Sequence, residues 1–115
     1  MPRSLSTIVY PATDLPAATA LFTALTGTEP YVNEPYYVGF RAGDVEIGLD
    51  PRGQVGSGPI GYWDVDDIAA TSAELTAAGA TTQHQPHDVG GGLLVATLTD
   101  VAGNVVGLRQ LPAGA

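Results

Sequence analysis

The chain has 115 residues, 44% of them hydrophobic and 14% charged, which is enough for one modest core and too little for separate cofactor and substrate domains. Twelve acidic residues against four arginines and no lysine leave a formal charge of −8, which argues against nucleic acid and anionic membrane surfaces as partners. Cysteine is absent, which removes disulfides, thiolate metal sites and cysteine nucleophiles.

The first apolar stretch, Ile8-Val9-Tyr10-Pro11-Ala12, is a strand that ends at Thr13-Asp14. After it, Leu15, Ala18, Leu21, Phe22 and Leu25 recur at helical spacing as one apolar stripe. Asp14 is suited to cap this helix, Pro16 to sit in its donor-free first turn, and Gly27 to stop it. Strands are expected at about 31–33 and 36–41, and then at 44–50 after the turn Ala42-Gly43-Asp44. The Gly- and Pro-rich stretch from 51 to 59 reads as a linker.

The pattern then repeats. Gly61-Tyr62-Trp63-Asp64-Val65 is a strand, and Asp67 stands where Asp14 stood, 53 residues on. Ile68, Ala69, Ser72, Leu75 and Ala78 follow as a thinner helical stripe, with Gly79 as the stop. Strands are expected at about 81–85 and 93–99. The turn Ala102-Gly103-Asn104 then opens a last strand, as Ala42-Gly43-Asp44 does in the first half. The expected organisation is α+β, with two β-α-β-β-β modules, 5–50 and 60–111, in a pseudo-twofold arrangement. Their sheet is expected to curl into a cleft with the helices outside.

Side chains alternate across a strand, so parity assigns faces. Ile8, Tyr10, Val45, Ile47, Leu49, Trp63, Val65, Val106 and Leu108 are expected beneath the helices. Thr7, Tyr37, Arg41, Glu46, Gly48, Ile60, Tyr62, Asp64, Gly107 and Arg109 fall on the other face and are the candidate ligand-binding residues. That face mixes aromatic, charged and apolar groups, as a small-molecule pocket does, but parity suits a solvated sheet face or a dimer interface equally well. The mid-strand glycines Gly48 and Gly107 are expected to leave a bare floor for a flat ligand lying against Tyr37 or Tyr62. Arg41 and Arg109 are expected to neutralise Glu46 and Asp64 as ion pairs.

Other constellations are less productive. His84-Gln85-Pro86-His87-Asp88 has chelate-like spacing, but Pro86 interrupts any helix and the segment reads as a polar strand end and loop. Gly56-Ser57-Gly58-Pro59-Ile60-Gly61 has the letters of a dinucleotide loop without the preceding strand or following helix that phosphate binding needs. Asp64, Asp66 and Asp67 lack the Gly and Glu of a calcium loop.

The two strand-Asp-helix openings, the Leu75-x-x-x-Gly79-Ala80 helix ending and Asp100-Val101-Ala102-Gly103-Asn104-Val105-Val106-Gly107-Leu108 together resemble the vicinal oxygen chelate superfamily. This is the glyoxalase, bleomycin-resistance and dihydroxybiphenyl dioxygenase group, and Val101 stands where its D-P-x-G-N turn usually has Pro. The resemblance implies metal-ligand positions on the first and last strands of each half, which are here Thr7, Ile60, Gly48 and Gly107. None of these is a usual ligand, so no metal and no other cofactor are expected. The expected function is metal-free binding or sequestration of a small cationic or aromatic molecule, similar to the bleomycin-resistance branch. A metal-independent isomerase or lyase using Glu46, Asp64 or a nearby His as base is the alternative, with a metal-dependent lyase third. The resemblance also implies a homodimer. No sustained apolar stretch suggests a signal or a membrane span, so a cytoplasmic location is expected.

Overall fold

A computed structural model describes residues 3–53 and 58–113. Residues 54–57 of the expected linker, including Gly56 and Ser57, lie outside the described residues. The elements run β1 (Ser4–Pro11), α1 (Leu15–Thr26), β2 (Val32–Glu34), β3 (Tyr37–Ala42), β4 (Val45–Asp50), β5 (Ile60–Asp64), α2 (Ile68–Ala77), β6 (Thr81–Asp88), β7 (Leu94–Thr99) and β8 (Val105–Gln110). The α+β class expected from the pattern is the class observed. The chain divides into two compact units, Ser6–Ile60 and Gly61–Ala115 with Met1–Leu5.

In the N-terminal unit the strand order is β2-β3-β4-β1. The chain leaves β1 through α1, crosses to β2, and returns by the antiparallel pairs β2–β3 and β3–β4 to lie parallel to β1. Asp14 caps α1 by accepting from the Ala17 N–H at 3.1 Å, and Pro16 occupies the first turn. Gly27 closes the helix in the left-handed region at φ 74°, where a side chain would be strained, and donates its N–H to the Thr23 carbonyl. Ala12, Val38, Phe40 and Leu49 form the buried core, with Tyr10, Leu15, Ala18, Phe22 and Ile47 packed against it. The Phe22 ring stands 4.9 Å from that of Tyr10 and 6.3 Å from that of Phe40. The covered stripe is narrower than expected. Leu21 and Leu25 are 60% and 73% exposed, because a single sheet face covers only the Leu15–Ala18–Phe22 line of so short a helix.

The C-terminal unit repeats the plan as β5-β8-β7-β6, with β5 parallel to β8 and the other pairs antiparallel. Asp67 caps α2 by accepting from the Ala70 N–H at 3.0 Å, while the Gln110 carboxamide oxygen accepts from the Ile68 N–H at 2.8 Å. The helix start is therefore tied to β8 as well as to its own cap. Val65, Ile68, Ala96, Leu98 and Leu108 form the core, and Leu75 packs against it. Two expectations fail here. Ala69 and Ala78 are exposed while Thr71 is buried, so the covered face is rotated from the expected stripe. Trp63 is paired beside Leu108 in β5 but is 39% exposed and lies outside the core cluster.

The β7–β8 turn is organised by Asp100. Its Oδ1 accepts from the backbone N–H groups of Ala102 (2.9 Å) and Asn104 (2.8 Å), and its Oδ2 from the Asn104 side-chain amide (2.9 Å). These donors favour the ionised form, led by the Asn104 side chain, and hold the carboxyl below its ordinary 3.8. Among the described residues no helix is long and apolar enough to cross a membrane.

The cap and the turn can each be checked by mutation. Asp67→Ala lowers stability by about 1 kcal/mol in urea denaturation. Because the folded pKa of Asp100 lies below its unfolded value, the turn contributes its full stability above that unfolded value. The contribution is lost as pH falls through the folded pKa. An NMR titration finds the Asp100 carboxyl carbon moving below 3.8, and Asp100→Asn flattens the acid limb of the stability profile.

Candidate functional site

On β4 the side chains of Ile47 and Leu49 point toward α1, so Glu46 and Gly48 face the opposite, open side. Register sets Arg41 beside Glu46 and Glu46 beside Thr7, across three strands. The next row places Gly39 beside Gly48 and Gly48 beside Val9. With no Cβ in two adjacent strands, this row is low enough for aromatic rings to lie on it. The ring of Tyr37 covers Gly48, and a Cβ there would stand 2.7 Å from the ring's Cζ. The rings of Tyr31 and Tyr37 flank Gly39, whose Cβ would meet them at 3.4 and 3.3 Å.

Both phenols then converge on one group. The hydroxyls of Tyr31 and Tyr37 donate to Oε1 and Oε2 of Glu46 respectively, so each carboxylate oxygen has its own donor. An ionised carboxylate only accepts, and such charge-assisted bonds are stronger than neutral ones. Arg41 lies over the Tyr31 ring, with its guanidinium carbon 4.9 Å from the centroid. Glu46 is thus held by two phenols, and the Arg41 guanidinium stacks on one of their rings. Thr7 is buried beside Glu46, and its Oγ1 has no hydrogen-bond partner among the described residues.

In the C-terminal unit one open-face row runs Tyr62, Gly107, Thr97, His84, and the next runs Asp64, Arg109, Val95, His87. Tyr62 covers Gly107, where a Cβ would meet the ring at 2.5 Å. Arg109 grips Asp64 through Nε to Oδ1 at 2.7 Å and Nη2 to Oδ2 at 3.3 Å. That expected ion pair is present, with both groups partly buried. The His84–His87 segment is a correction. It belongs to β6, which extends to Asp88 rather than ending near Gln85. Pro86, which suggested a break, sits on the outer strand of this sheet, where register shifts mark bulges and a missing N–H is tolerated.

The bare floor expected at Gly48 and Gly107 is also corrected, since each glycine already carries a tyrosine ring of its own unit. Tyr31, expected within the strand at about 31–33, instead precedes β2, and its reach to Glu46 is a tertiary contact that the spacing of that short segment did not show.

The four positions that the resemblance implies for metal ligands offer a hydroxyl (Thr7), an alkyl group (Ile60) and two glycines under rings. Among the described residues no three His, Asp or Glu side chains gather in a metal-binding group. This donor set does not fit the divalent ion of the metal enzymes.

Two β-α-β-β-β units with open-face residues opposite the helices define the class of fold. The profile of the Glyoxalase/Bleomycin resistance protein/Dioxygenase superfamily matches residues 4–108, and the chain belongs to that superfamily. Among curated protein sequences none matches significantly. Solved structures with the same fold include a hypothetical protein from Bacillus halodurans C-125 (14% identity, TM-score 0.79, covering 100% of this chain and 99% of that one). A superfamily member from Vibrio splendidus 12B01 has 16% identity and a TM-score of 0.70, covering 96% and 100%. A variant of Streptomyces coelicolor methylmalonyl-CoA epimerase, in complex with 2-nitronate-propionyl-CoA, has 20% identity and a TM-score of 0.69, covering 96% and 97%.

The ring over Gly48 sets a prediction. Gly48→Ala destabilises by about 1–3 kcal/mol, as overpacking does, and the cost largely disappears in a Tyr37→Ala background. A double-mutant cycle by chemical denaturation measures this coupling.

Proposed function

We propose that the protein binds a small cationic or aromatic molecule on the open face of its N-terminal unit and does so without a metal ion. The observation that carries this reading is the convergence of the Tyr31 and Tyr37 hydroxyls on Glu46 over the Gly39–Gly48 floor. Ring faces and a carboxylate together attract a cation or a planar, positively polarised ligand, and the net charge of −8 favours its approach. Tyr37, Arg41, Glu46 and Gly48 are the proposed contacts. Thr7 is the proposed buried hydroxyl behind them. Ile60, at the end of the same unit, and Tyr62, Asp64, Gly107 and Arg109 of the other unit remain proposed ligand-facing residues. Sequestration is the biological role that binding without chemistry supports, as in resistance to a toxic small molecule. A homodimer belongs to the same reading, with the exposed Leu21 and Leu25 on α1 supplying apolar surface.

A second reading, metal-independent proton transfer as an isomerase or lyase, is favoured by the same carboxylate-phenol contact. Glu46 would act as the base with a tyrosine as its proton partner. Asp64 is less suited, because both of its oxygens engage Arg109.

Calorimetry against a panel of cationic and aromatic compounds tests both readings. Binding is expected with and without a chelator, and Glu46→Gln is expected to weaken it about tenfold, or about 1.4 kcal/mol. Turnover that Glu46→Gln abolishes while affinity holds within a few fold would favour the enzyme. No binding in the panel, with turnover only on adding a metal, would overturn both.

A further inference from the structure

In a regular strand, residues three apart point to opposite faces, so His84 and His87 would be separated by the sheet. Here the register of β6 shifts between Thr82 and His84 and again between His84 and His87. His84 consequently lies opposite Thr97 and His87 opposite Val95, two residues apart on β7 and on one face. That is the open face, since Thr97 and Val95 are in turn paired with Gly107 and Arg109.

The ring nitrogens are also ordered. His87 Nδ1 lies 2.8 Å from the Gln85 carbonyl, which can only accept, so Nδ1 carries a proton and Nε2 is the nitrogen that holds the lone pair in the neutral ring. The Thr97 hydroxyl donates its one proton to Gln83 Oε1 at 2.9 Å. Its oxygen therefore accepts from His84 Nδ1, also at 2.9 Å, and in the neutral ring His84 Nε2 holds the lone pair. The bulge explains why Gln83 and His84 both reach Thr97, because two residues of β6 face one of β7 there. Each imidazole thus has its Nδ1–H anchored on oxygen and its Nε2 available, the orientation that metal-bound histidines take from their outer hydrogen bonds. Both side chains are exposed.

We propose that His84 and His87 form a two-imidazole site for a borderline divalent transition ion on the outer strand β6. This site is separate from the positions at which the superfamily's metal enzymes hold their ion, and it does not depend on the ligand proposed above. Asp88 does not join it, because it lies opposite Leu94 on the other face of β6, where its Oδ1 accepts from the Gly90 N–H at 2.7 Å and the Gly92 N–H at 3.4 Å. No third His, Asp or Glu gathers there among the described residues, so water or a donor ligand completes the coordination. Two neutral nitrogens favour Cu(II) over Ni(II) and Zn(II), and do not hold Mg(II) or Ca(II).

Titration of the untagged protein with Cu(II), followed by calorimetry and electron paramagnetic resonance, tests the proposal. A single equivalent is expected to bind with hyperfine coupling to two imidazoles, more tightly than Ni(II) or Zn(II). His84→Ala and His87→Ala each remove the two-imidazole signal, with unchanged thermal melting showing that the variants fold. Thr97→Val is expected to lower affinity about tenfold by releasing the His84 ring, and Thr97→Ser to restore it. Unchanged Cu(II) affinity in the His84→Ala/His87→Ala double variant, or coupling to one nitrogen only, would overturn the proposal.

Discussion

Alternation of side chains across short strands is the constraint from which the other features follow. In each unit four strands bury one face against a single helix, with Phe40 and Leu49 in the first core and Leu98 and Leu108 in the second. The opposite face has no helix of its own. There the chain places glycine at Gly39, Gly48 and Gly107 and lays tyrosine rings on the exposed backbone. A side chain at Gly39 or Gly48 would lift the rings of Tyr31 and Tyr37, and with them the phenols that meet at Glu46.

The two units handle their open-face carboxylates differently, and this difference directs the functional reading. Asp64 is neutralised by a two-point contact with Arg109 on the adjacent strand, an arrangement that fixes both groups. Glu46 accepts from two hydroxyls, one on each carboxylate oxygen, which orient the carboxylate. A carboxylate so presented, ringed by aromatic surface, is suited to an incoming cation or to a transferable proton. The Arg109–Asp64 pair is suited to structure.

Much of the fold was legible residue by residue. Asp14 and Asp67 announced both helix starts, Gly27 one helix end, and the alternation in Val45–Asp50 its buried side. These are local matters, settled by hydrogen bonds and side-chain geometry within a few residues. The helix stripes were legible only in part. Leu21 and Leu25 share the period of Phe22, but period alone does not say how much of a helix its sheet can cover. Likewise Pro86 reads as a breaker until β6 is seen to lie on the outside of its sheet with bulges around it.

The amino-acid order alone was sufficient for the class of fold, the repeated plan and the four donor-poor positions Thr7, Gly48, Ile60 and Gly107. The fold class and the repeat rest on residue type and spacing, and the four positions on what the family resemblance implies. Folding in three dimensions decided the rest. Tyr31 and Tyr37 meet Glu46, Tyr62 covers Gly107, and His84 joins His87 on one face through strand register and bulges. Those contacts arise between segments whose separation along the chain carries no information about their distance in space.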